Sequence, residues 1–413
     1  MPFKKIERLT ERLKQRDYKL KSLLEITRSI NETDSTEALL DKYHSVVYEE
    51  LNITRLVLFI QLDNEWQCAL KYGIDKNFDD LDIDRVFGKY REIKSLQTND
   101  NEIFRGFDLL IPVFHDERPL SYLLVGDVDG DMIEVSPIIR HMGFIQTLTN
   151  IISVAIENKV LLNKSLEQER FNTELELAAQ MQSLLVSSGV KDYNAFEVAI
   201  YYKPHHQIGG DFCDFIALND QEAFLCMADV SGKGVSAAFL MANVQAHLRA
   251  LLRHTNWTLE SIAHELNRRV VEIVNGDRFV TLFMAYFHRP SRALHYINAG
   301  HNPPFVIQRD EFVYLEEGTV GLGMLPELPF LDKGLITLAP NALITCYTDG
   351  VVELENEKNE DFGNKRLGAL VREKSTQVQH IDELITYVVH ALDTHRGQMP
   401  YSDDNTLLFC RFK

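Results

Sequence analysis

The stretch from Ile151 to Leu185 contains neither glycine nor proline, and its second part alternates charged residues with apolar ones (KSLEQERFNTELELAAQMQSLL). Because glycine and proline are the residues that most often end a helix, this pattern predicts one continuous helix, which we expect to begin near Ile138. Strand-like runs lie on both sides of it. The chain of 413 residues is therefore expected to form two domains joined by a helix rather than a single core.

The half before the long helix has the pattern of a small domain of helices and strands. A charged helix is predicted from about 10 to 30, and a second helix is predicted to start where Asp34 and Glu37 form a capping-box pattern. Alternating apolar runs such as RLVLFIQL and LSYLLVGDV then predict antiparallel strands. The predicted segments are an N-terminal helix at 1–30, an α/β domain at 31–158, a linker helix or coiled coil at 159–190 and a second domain at 191–413.

The apolar residues of the linker helix keep a loose heptad spacing. They are Val160, Leu162, Leu166, Phe171, Leu175, Ala178, Met181 and Leu185. A heptad of this kind allows a homodimer in which two copies of the helix form a coiled coil. The alternative is a helix that packs on its own domain.

From about residue 195 the sequence becomes rich in strand-like runs, among them AFLCMADV, VTLFMAYFH and NTLLFCRF. Helical segments are predicted at 235–254, at 258–275 and near 380–393. Runs of strands with grouped helices are typical of an α+β layered fold, which is the fold class that we predict for the chain.

The composition excludes some classes of partner. The formal net charge of −18 would repel nucleic acid and anionic membrane surfaces, so neither is expected as a general partner. No apolar run approaches the roughly 20 residues that span a bilayer, and the lysine-rich start lacks the apolar core of a signal peptide. We therefore expect a cytoplasmic protein.

Its five cysteines include no Cys-x-x-Cys pair, and four of them lie in apolar runs where buried thiols are expected.

Four short acidic motifs in the second half stand at the ends of apolar runs or beside glycine. They are IGGDFCDF with Asp211 and Asp214, MADVSGKG with Asp229, YTDGVVE with Asp349, and SDDNT with Asp403 and Asp404. A carboxylate that follows a buried strand is held rigidly but stays accessible, and several converging carboxylates repel one another unless cations neutralise them. Taken singly, each of these aspartates is more often a turn or cap residue.

Ligands that are all oxygen atoms favour Mg²⁺ or Mn²⁺. Two such ions held close together can activate a bridging water and clamp the oxygens of an in-line phosphoryl displacement. The aspartates therefore predict phosphoester hydrolysis with two divalent cations, Mn²⁺ or Mg²⁺, as cofactors. Gly232 and Gly234 would let the backbone turn closely past these ions, whereas the P-loop pattern of nucleotide-binding proteins is absent.

The motifs IGGDFCDF, ADVSGKGVSAAFLM, INAGHNPP, CYTDGVVE and SDDNTLLF, in this order, resemble those of the RsbU-like phosphatases of the stage II sporulation protein E type. These enzymes are a bacterial branch of the metal-dependent type 2C protein phosphatase superfamily. The resemblance covers residues from about 175 to 413 and includes LELAAQMQSLLV as the entry helix. It implies an αββα sandwich with a metal pair at its edge, and a phosphoserine or phosphothreonine protein as substrate.

The resemblance also implies a role for each matching residue. Asp229 would bridge both metal ions, and the carbonyl of Val230 would help to hold one of them. Asp211 would act on one ion largely through bound water, and Asp349 and Asp403 would complete the shell of the second ion. The catalytic residues expected from this resemblance are thus Asp229, Asp211 and Asp349.

Two residues have alternative interpretations. Asp404 is the alternative to Asp403 as a metal ligand, because the two stand side by side in SDDNT. His301 in NAGHNPP is either a proton donor to the leaving serine oxygen, since histidine titrates near neutral pH, or part of a tight loop with Asn298 that braces the site. The bracing role is the one that we prefer.

The first half resembles a GAF sensory domain in its order of helix, strands and long exit helix. This resemblance implies a sensor whose signal reaches the phosphatase through the linker helix. By family resemblance, the substrate is a phosphorylated anti-sigma factor antagonist. The alternatives are a catalytically inactive sensor that binds such partners as a scaffold, a phosphatase of another phosphoprotein, and a hydrolase of small phosphoesters. An inactive copy would be expected to have lost an acidic motif, and this chain keeps all four.

Overall fold

The structure is a computed structural model, and it describes residues 2–32, 35–63, 65–78, 81–96, 102–126, 137–253, 257–274, 276–309 and 311–413. The chain divides into two compact units, Met1–Arg170 and Phe171–Lys413. The α-helices in the described residues are α1 (Pro2–Asn31), α2 (Thr36–Ser45), α3 (Ile83–Phe87), α4 (Pro137–Ser183), α5 (Val235–Leu251), α6 (Leu259–Val274), α7 (Asp349–Val352), α8 (Asn364–Ser375) and α9 (Ile381–Arg396).

The strands of the first unit are β1 (Arg55–Leu62), β2 (Glu65–Tyr72), β3 (Lys94–Ser95), β4 (Leu109–His115) and β5 (Arg118–Gly126). Those of the second unit are β6 (Gly189–Asp192), β7 (Phe196–Lys203), β8 (Phe212–Ala217), β9 (Glu222–Val230), β10 (Val280–His288), β11 (Ala293–Ala299), β12 (Phe305–Gln308), β13 (Glu311–Tyr314), β14 (Gly318–Thr319), β15 (Gly334–Thr337), β16 (Ala342–Tyr347) and β17 (Asn405–Phe412).

The first unit is an antiparallel sheet in the order β2-β1-β5-β4-β3. Successive residues of β1 point to opposite faces. Leu58 therefore packs with Tyr43 of α2 and Ile152 of α4, whereas Val57 packs with Phe87 of α3. The arrangement confirms the predicted mixture of helices and sheet.

Helix α2 begins after Ser35, whose side chain accepts a hydrogen bond from the backbone N–H of Ala38 at 3.1 Å. The predicted cap, Asp34, lies outside the described residues. A serine hydroxyl at this position satisfies one of the N–H groups that the first helical turn leaves free. The N-cap is therefore Ser35, one residue later than the sequence pattern predicts.

Helix α4 is continuous from Pro137 to Ser183, and it includes nearly all of the stretch from Ile151 to Leu185 for which the absence of glycine and proline predicts a continuous helix. With a rise of 1.5 Å per residue it is about 70 Å long. Ile145 and Ile152, in its first part, are buried in the core of the first unit. Despite this length, neither α4 nor any other helix in the described residues is apolar enough to cross a membrane.

The second unit contains two six-stranded sheets, with strand orders β14-β11-β10-β9-β8 (β15 pairs with β11) and β13-β12-β16-β17-β7-β6. Apolar residues of both sheets, including Met227 of β9 and Leu408 of β17, form one buried cluster between them. Helices α5 and α6 pack on the outer face of the first sheet, and α8 and α9 pack on the second. The unit is thus the predicted αββα sandwich, with α8 as an additional helix.

Four of the five cysteines lie in the strands of this unit. Cys213, Cys226, Cys346 and Cys410 are buried, as predicted, whereas Cys68 of the first unit is exposed. Burial raises the pKa of each of the four thiols well above its usual value. These four cysteines therefore contribute to packing rather than to reactive chemistry.

Candidate metal centre

Five aspartates meet at one edge of the sandwich. Asp211 directly precedes β8, Asp229 lies near the end of β9, Asp349 begins α7 after β16, and Asp403 and Asp404 precede β17. The strands β8 and β9 are antiparallel neighbours in one sheet, as β16 and β17 are in the other. These positions therefore come together at the same edge of the sandwich. We refer to the five residues as the acidic cluster.

The carboxylate of Asp211 joins the two sheets at this edge. The hydroxyl of Thr406, in β17, donates to its Oδ2 at 2.6 Å. The side chain of Thr348, after β16, also hydrogen-bonds to Asp211 and accepts from the backbone N–H of Thr406 at 3.0 Å. Asp211 is only 1% exposed. Its orientation is thus fixed by two hydroxyl groups from the opposite sheet.

Burial and neighbouring negative charges raise the pKa values of two aspartates of the acidic cluster. Burial, followed by the negative charges of Asp229 and Asp404, raises the pKa of Asp211 well above its usual value. Burial and the Asp349 carboxylate raise the pKa of Asp229 to about 7, although a hydrogen bond with Asp211 works in the opposite direction. A hydrogen bond between two carboxyl groups requires a shared proton. Without added cations, the hydrogen bond between Asp211 and Asp229 therefore requires a proton on one of the two carboxyl groups.

Both carboxylate oxygens of Asp404 accept hydrogen bonds from the backbone. Its Oδ1 accepts from the backbone N–H of His205 at 2.7 Å, and its Oδ2 accepts from those of Gly210 at 2.7 Å and Asp211 at 3.4 Å. A Cβ atom on Gly209 would lie 2.3 Å from Oδ2, so only glycine fits there. Asp404 thus holds the loop that carries Asp211.

Asp403 faces a different group. Its Oδ2 lies 2.7 Å from the Nζ of Lys233, and its Oδ1 accepts from the backbone N–H of Asp404 at 2.9 Å. About 39% of the Asp403 side chain is exposed. Of the two adjacent aspartates, Asp403 is therefore the one with a carboxylate that solvent and ions can reach.

Asp349 lies at the first position of α7, next to Gly350. Burial and the nearby Asp403 carboxylate raise the pKa of Asp349, while the backbone N–H of Gly350 and the charge of Lys233 lower it in part. A Cβ atom on Gly350 would lie 2.1 Å from the Asp404 carbonyl oxygen. The Asp-Gly pair of YTDGVVE therefore brings Asp349 close to the loop before β17.

The carbonyl of Val230 lies beside the backbone of the IGGD loop. A Cβ atom on Gly210 would be 3.1 Å from this carbonyl oxygen and 3.2 Å from the Cβ of Ala237 in α5. Glycine at this position lets the loop before Asp211 approach the end of β9. Val230 itself is buried with a side-chain exposure near zero.

The NAGHNPP loop is linked to the strand of Asp229 through the hydroxyl of Thr281. Asn298 accepts from the backbone N–H of His301 at 2.7 Å and donates to its carbonyl at 3.0 Å. The Nδ1 of His301 lies 2.9 Å from the hydroxyl of Thr281, which in turn lies 3.4 Å from the carbonyl oxygen of Asp229. Burial lowers the pKa of His301 to about 3. A neutral, buried imidazole suits the bracing role and not that of a proton donor at neutral pH.

The donor set consists of oxygen atoms, which suits a hard dication such as Mg²⁺ or Mn²⁺. Within the described part of the chain, no three acidic, histidine or cysteine side chains stand close enough to ligate one ion together. Mg²⁺ in proteins usually keeps several waters and takes one or two carboxylates. The neighbouring pairs Asp211–Asp229 and Asp349–Asp403 fit that mode of binding.

Several residues that shape the site are missing from the sequence prediction. Thr348 and Thr406 orient Asp211, and each lies within or beside a motif that was recognised for its aspartate. Gln182 of α4 clamps Gly209, because its side chain donates to the Gly209 carbonyl at 2.6 Å and accepts from its N–H at 3.1 Å. The entry-helix motif LELAAQMQSLLV marks Gln182 in the sequence, but nothing there indicates its partner.

Comparisons with known proteins find relatives of the second unit. Residues 219–413 match the family described as stage II sporulation protein E (SpoIIE). Phosphoserine phosphatase RsbU of Bacillus subtilis is 29% identical over 199 residues, which cover 46% of this chain and 56% of RsbU. Protein IcfG of Synechocystis is 26% identical over 236 residues, which cover 51% of this chain and 37% of IcfG. The chain thus spans about half or less of the length of these curated relatives.

Among solved structures, the SiaA-PP2C domain of Pseudomonas aeruginosa aligns with a TM-score of 0.52 and 19% sequence identity. The alignment covers 60% of this chain and 99% of that domain. At this level of identity the likeness concerns the fold alone. It confirms the type 2C phosphatase fold predicted for the second unit.

Proposed function

We propose that this chain is a metal-dependent phosphatase that acts on phosphoserine or phosphothreonine in proteins, a proposal supported by the match of residues 219–413 to the stage II sporulation protein E family. The observation that carries the proposal is the acidic cluster, in which burial and mutual repulsion raise the pKa values of Asp211, Asp229 and Asp349. Buried carboxylates that are not paired with a basic side chain are expected where a bound metal ion supplies the positive charge.

We propose two divalent cations, Mn²⁺ or Mg²⁺, as cofactors. Asp229 would contact both, with the carbonyl of Val230 on one of them, and Asp211 would act largely through bound water. Asp349 and Asp403 would hold the second. When bound, such a pair supplies an activated water and neutralises the charge of the phosphoryl group.

The protein's own residues hold this arrangement in place. Thr406 orients Asp211, Asp404 fixes the loop before β8, and His301 braces the strand of Asp229 through Thr281. We favour Asp403 over Asp404 as the ligand, since both oxygens of Asp404 already accept backbone hydrogen bonds.

The proposed substrate is a phosphorylated anti-sigma factor antagonist, because the matching relative from Bacillus subtilis is a phosphoserine phosphatase and the motifs resemble that family.

The first unit would be a GAF-like sensor that regulates the reaction through α4. Exposed apolar side chains on α4, among them Leu162, Leu177 and Met181, support a homodimer formed by this helix.

The test is a phosphatase assay of the full chain with Mn²⁺ or Mg²⁺. Three probes separate the alternatives: a phosphorylated anti-sigma factor antagonist, an unrelated phosphoserine peptide and p-nitrophenyl phosphate. We expect the first to be hydrolysed fastest, and we expect chelator or Asp229→Ala to reduce the rate at least about a thousand-fold. Activity that survives both treatments would refute the metal mechanism. Preference for p-nitrophenyl phosphate would favour a hydrolase of small phosphoesters.

A further inference from the structure

Lys233 connects two loops of the acidic cluster. It follows β9 in the SGKG segment, while its partners precede β17 in the opposite sheet. Its Nζ lies 2.7 Å from the Oδ2 of Asp403 and donates to the carbonyl of Ser402 at 2.6 Å. In the part of the chain that the structure describes, no other basic side chain is paired with a carboxylate of the cluster.

The SGKG loop is held in place without the side chain of Lys233. The backbone N–H of Ser231 donates to the carbonyl of Phe279 at 3.0 Å, and the Ser231 hydroxyl accepts from the Phe279 N–H at 2.9 Å. Arg278 lies across Gly232 and donates to the Ser231 carbonyl at 3.1 Å. Removing the lysine side chain should therefore change the charge near Asp403 and leave the loop in position.

We propose that Lys233 is an internal counter-cation that competes with a divalent ion for Asp403 and thereby weakens metal binding on the Asp349–Asp403 side of the centre. This inference rests on the proposed function, since it concerns the same metal centre. Lys233 would raise the metal concentration needed to occupy that side, and any movement of the SGKG loop away from Asp403 would increase its occupancy.

The competition follows from charge and geometry. A carboxylate oxygen that accepts an ammonium group at 2.7 Å must give up that contact, or share it, when a dication binds. The ammonium also repels the arriving dication. Lys233 and Asp403 are about 43% and 39% exposed, and a pair of that exposure is worth roughly 1.4- to 5-fold in an equilibrium constant.

The experiment is a Mn²⁺ titration of the full chain in which free Mn²⁺ is measured by electron paramagnetic resonance. Lys233→Met and Lys233→Gln should bind Mn²⁺ about 1.4- to 5-fold more tightly than the wild type, and Lys233→Arg, which keeps the charge, should resemble it. Thermal unfolding of each metal-free variant checks that it is folded.

Lys333→Met is the matched control for net charge. Lys333 pairs with Glu260 at 2.5 Å, and the two side chains are 41% and 34% exposed, close to the values for Lys233 and Asp403. Glu260 is near the start of α6, about 20 Å from the other end of that helix at 1.5 Å per residue. The residues that contact Ser231, Arg278 and Phe279, follow that other end. Loss of this lysine should leave Mn²⁺ affinity unchanged.

The outcomes separate the inference from the proposed function. Tighter binding in both charge-removing Lys233 variants, with the two controls unchanged, would support the inference. Weaker or unchanged binding, or the same gain in Lys333→Met, would overturn it while Mn²⁺ binding that depends on Asp229 leaves the proposed function standing. If the wild type bound no Mn²⁺, or if Asp229→Ala bound it equally well, the proposed function would be overturned together with the inference.

Discussion

Asp211 and Asp214 lie three residues apart in one motif and are almost equally buried, at 1% and 2% exposure, yet their surroundings differ. Asp214 accepts from the Nε of Arg249 at 2.7 Å and from the hydroxyl of Ser187 at 2.9 Å. Asp211 hydrogen-bonds to the hydroxyl groups of Thr406 and Thr348, and the charged groups beside it are the carboxylates of Asp229 and Asp404. The fold supplies a cation to one aspartate and leaves the other without one. That difference separates a structural carboxylate from the metal ligand that we propose.

The contrast has an energetic meaning. A buried carboxylate is tolerated when it is paired and hydrogen-bonded, as in the Asp214–Arg249 pair. The acidic cluster instead stores repulsion, which protons relieve in the absence of metal. The cluster is therefore expected to lower the stability of the metal-free domain, whereas the Asp214–Arg249 pair would lower it only if one partner were removed.

The largest expected effect separates the two aspartates by activity. Asp211→Asn should reduce metal-dependent phosphatase activity at least about a thousand-fold, because it removes a carboxylate from the proposed metal centre. Its metal-free stability should be unchanged or higher, since a source of repulsion is lost. Steady-state kinetics with Mn²⁺ and chemical denaturation without it provide the two measurements. A stable, fully active Asp211→Asn protein would remove the distinction between the aspartates.

The matched variant, Asp214→Asn, should show the reverse behaviour. It leaves the guanidinium of Arg249 without its carboxylate, so we expect a loss of about 2–3 kcal/mol in the free energy of unfolding, below the usual cost of a fully buried pair because Arg249 is partly exposed. Mn²⁺ affinity, measured by calorimetry on the folded protein, should change less than about twofold. A stable Asp214→Asn protein with impaired metal binding would contradict the comparison.

The sequence alone could place these aspartates at strand ends but could not tell them apart. The partner of Asp214 is Arg249, 35 residues further along the chain on α5, and no local pattern indicates their contact. For the same reason, Asp403 and Asp404 look equivalent in SDDNT, although only Asp404 accepts backbone hydrogen bonds from the loop before β8. Distinguishing them requires the register between the two sheets.

The elements themselves were predicted more readily where the signal is local. The absence of glycine and proline after Ile151 predicts the long second part of α4, and apolar runs predict the strands. Helix α8 has a charged sequence, NKRLGALVREKS, with few apolar residues, and its helical conformation depends on packing of Leu367 and Val371 in the core beneath it. Such tertiary contacts cannot be read from the segment by itself.

A smaller effect concerns pH. Because the pKa of Asp229 is about 7 in the folded protein and roughly 3.9 in an unfolded chain, the folded state binds the extra proton between these values. The metal-free protein should therefore lose stability as the pH rises from about 4 to about 7, by about 1–2 kcal/mol after allowance for coupling to Asp211, and should change little above that range.

Chemical denaturation of the metal-free protein at several pH values measures this loss. Asp229→Asn should flatten the dependence, and Mn²⁺ at about a hundred times its dissociation constant should restore about 2.7 kcal/mol at pH 8. Asp214→Asn, in contrast, should lower the stability of the protein and leave in place the pH dependence that Asp229 produces. If the metal-free protein became more stable as the pH rose through this window, the acidic cluster would not be the source of repulsion that we infer.

The smallest expected effect concerns His301, which lies behind the acidic cluster but is not part of it. Its pKa of about 3 means that the imidazole is already neutral throughout the range in which the enzyme would be assayed. An asparagine at this position retains a polar group that can reach the hydroxyl of Thr281. His301→Asn should therefore lower activity by less than about fivefold and leave the shape of the pH–rate profile between pH 6 and 9 unchanged.

The profile of the wild type serves as the control. Loss of one limb of that profile in His301→Asn would show that the histidine transfers a proton, and the chemistry could then no longer be assigned to the aspartates alone.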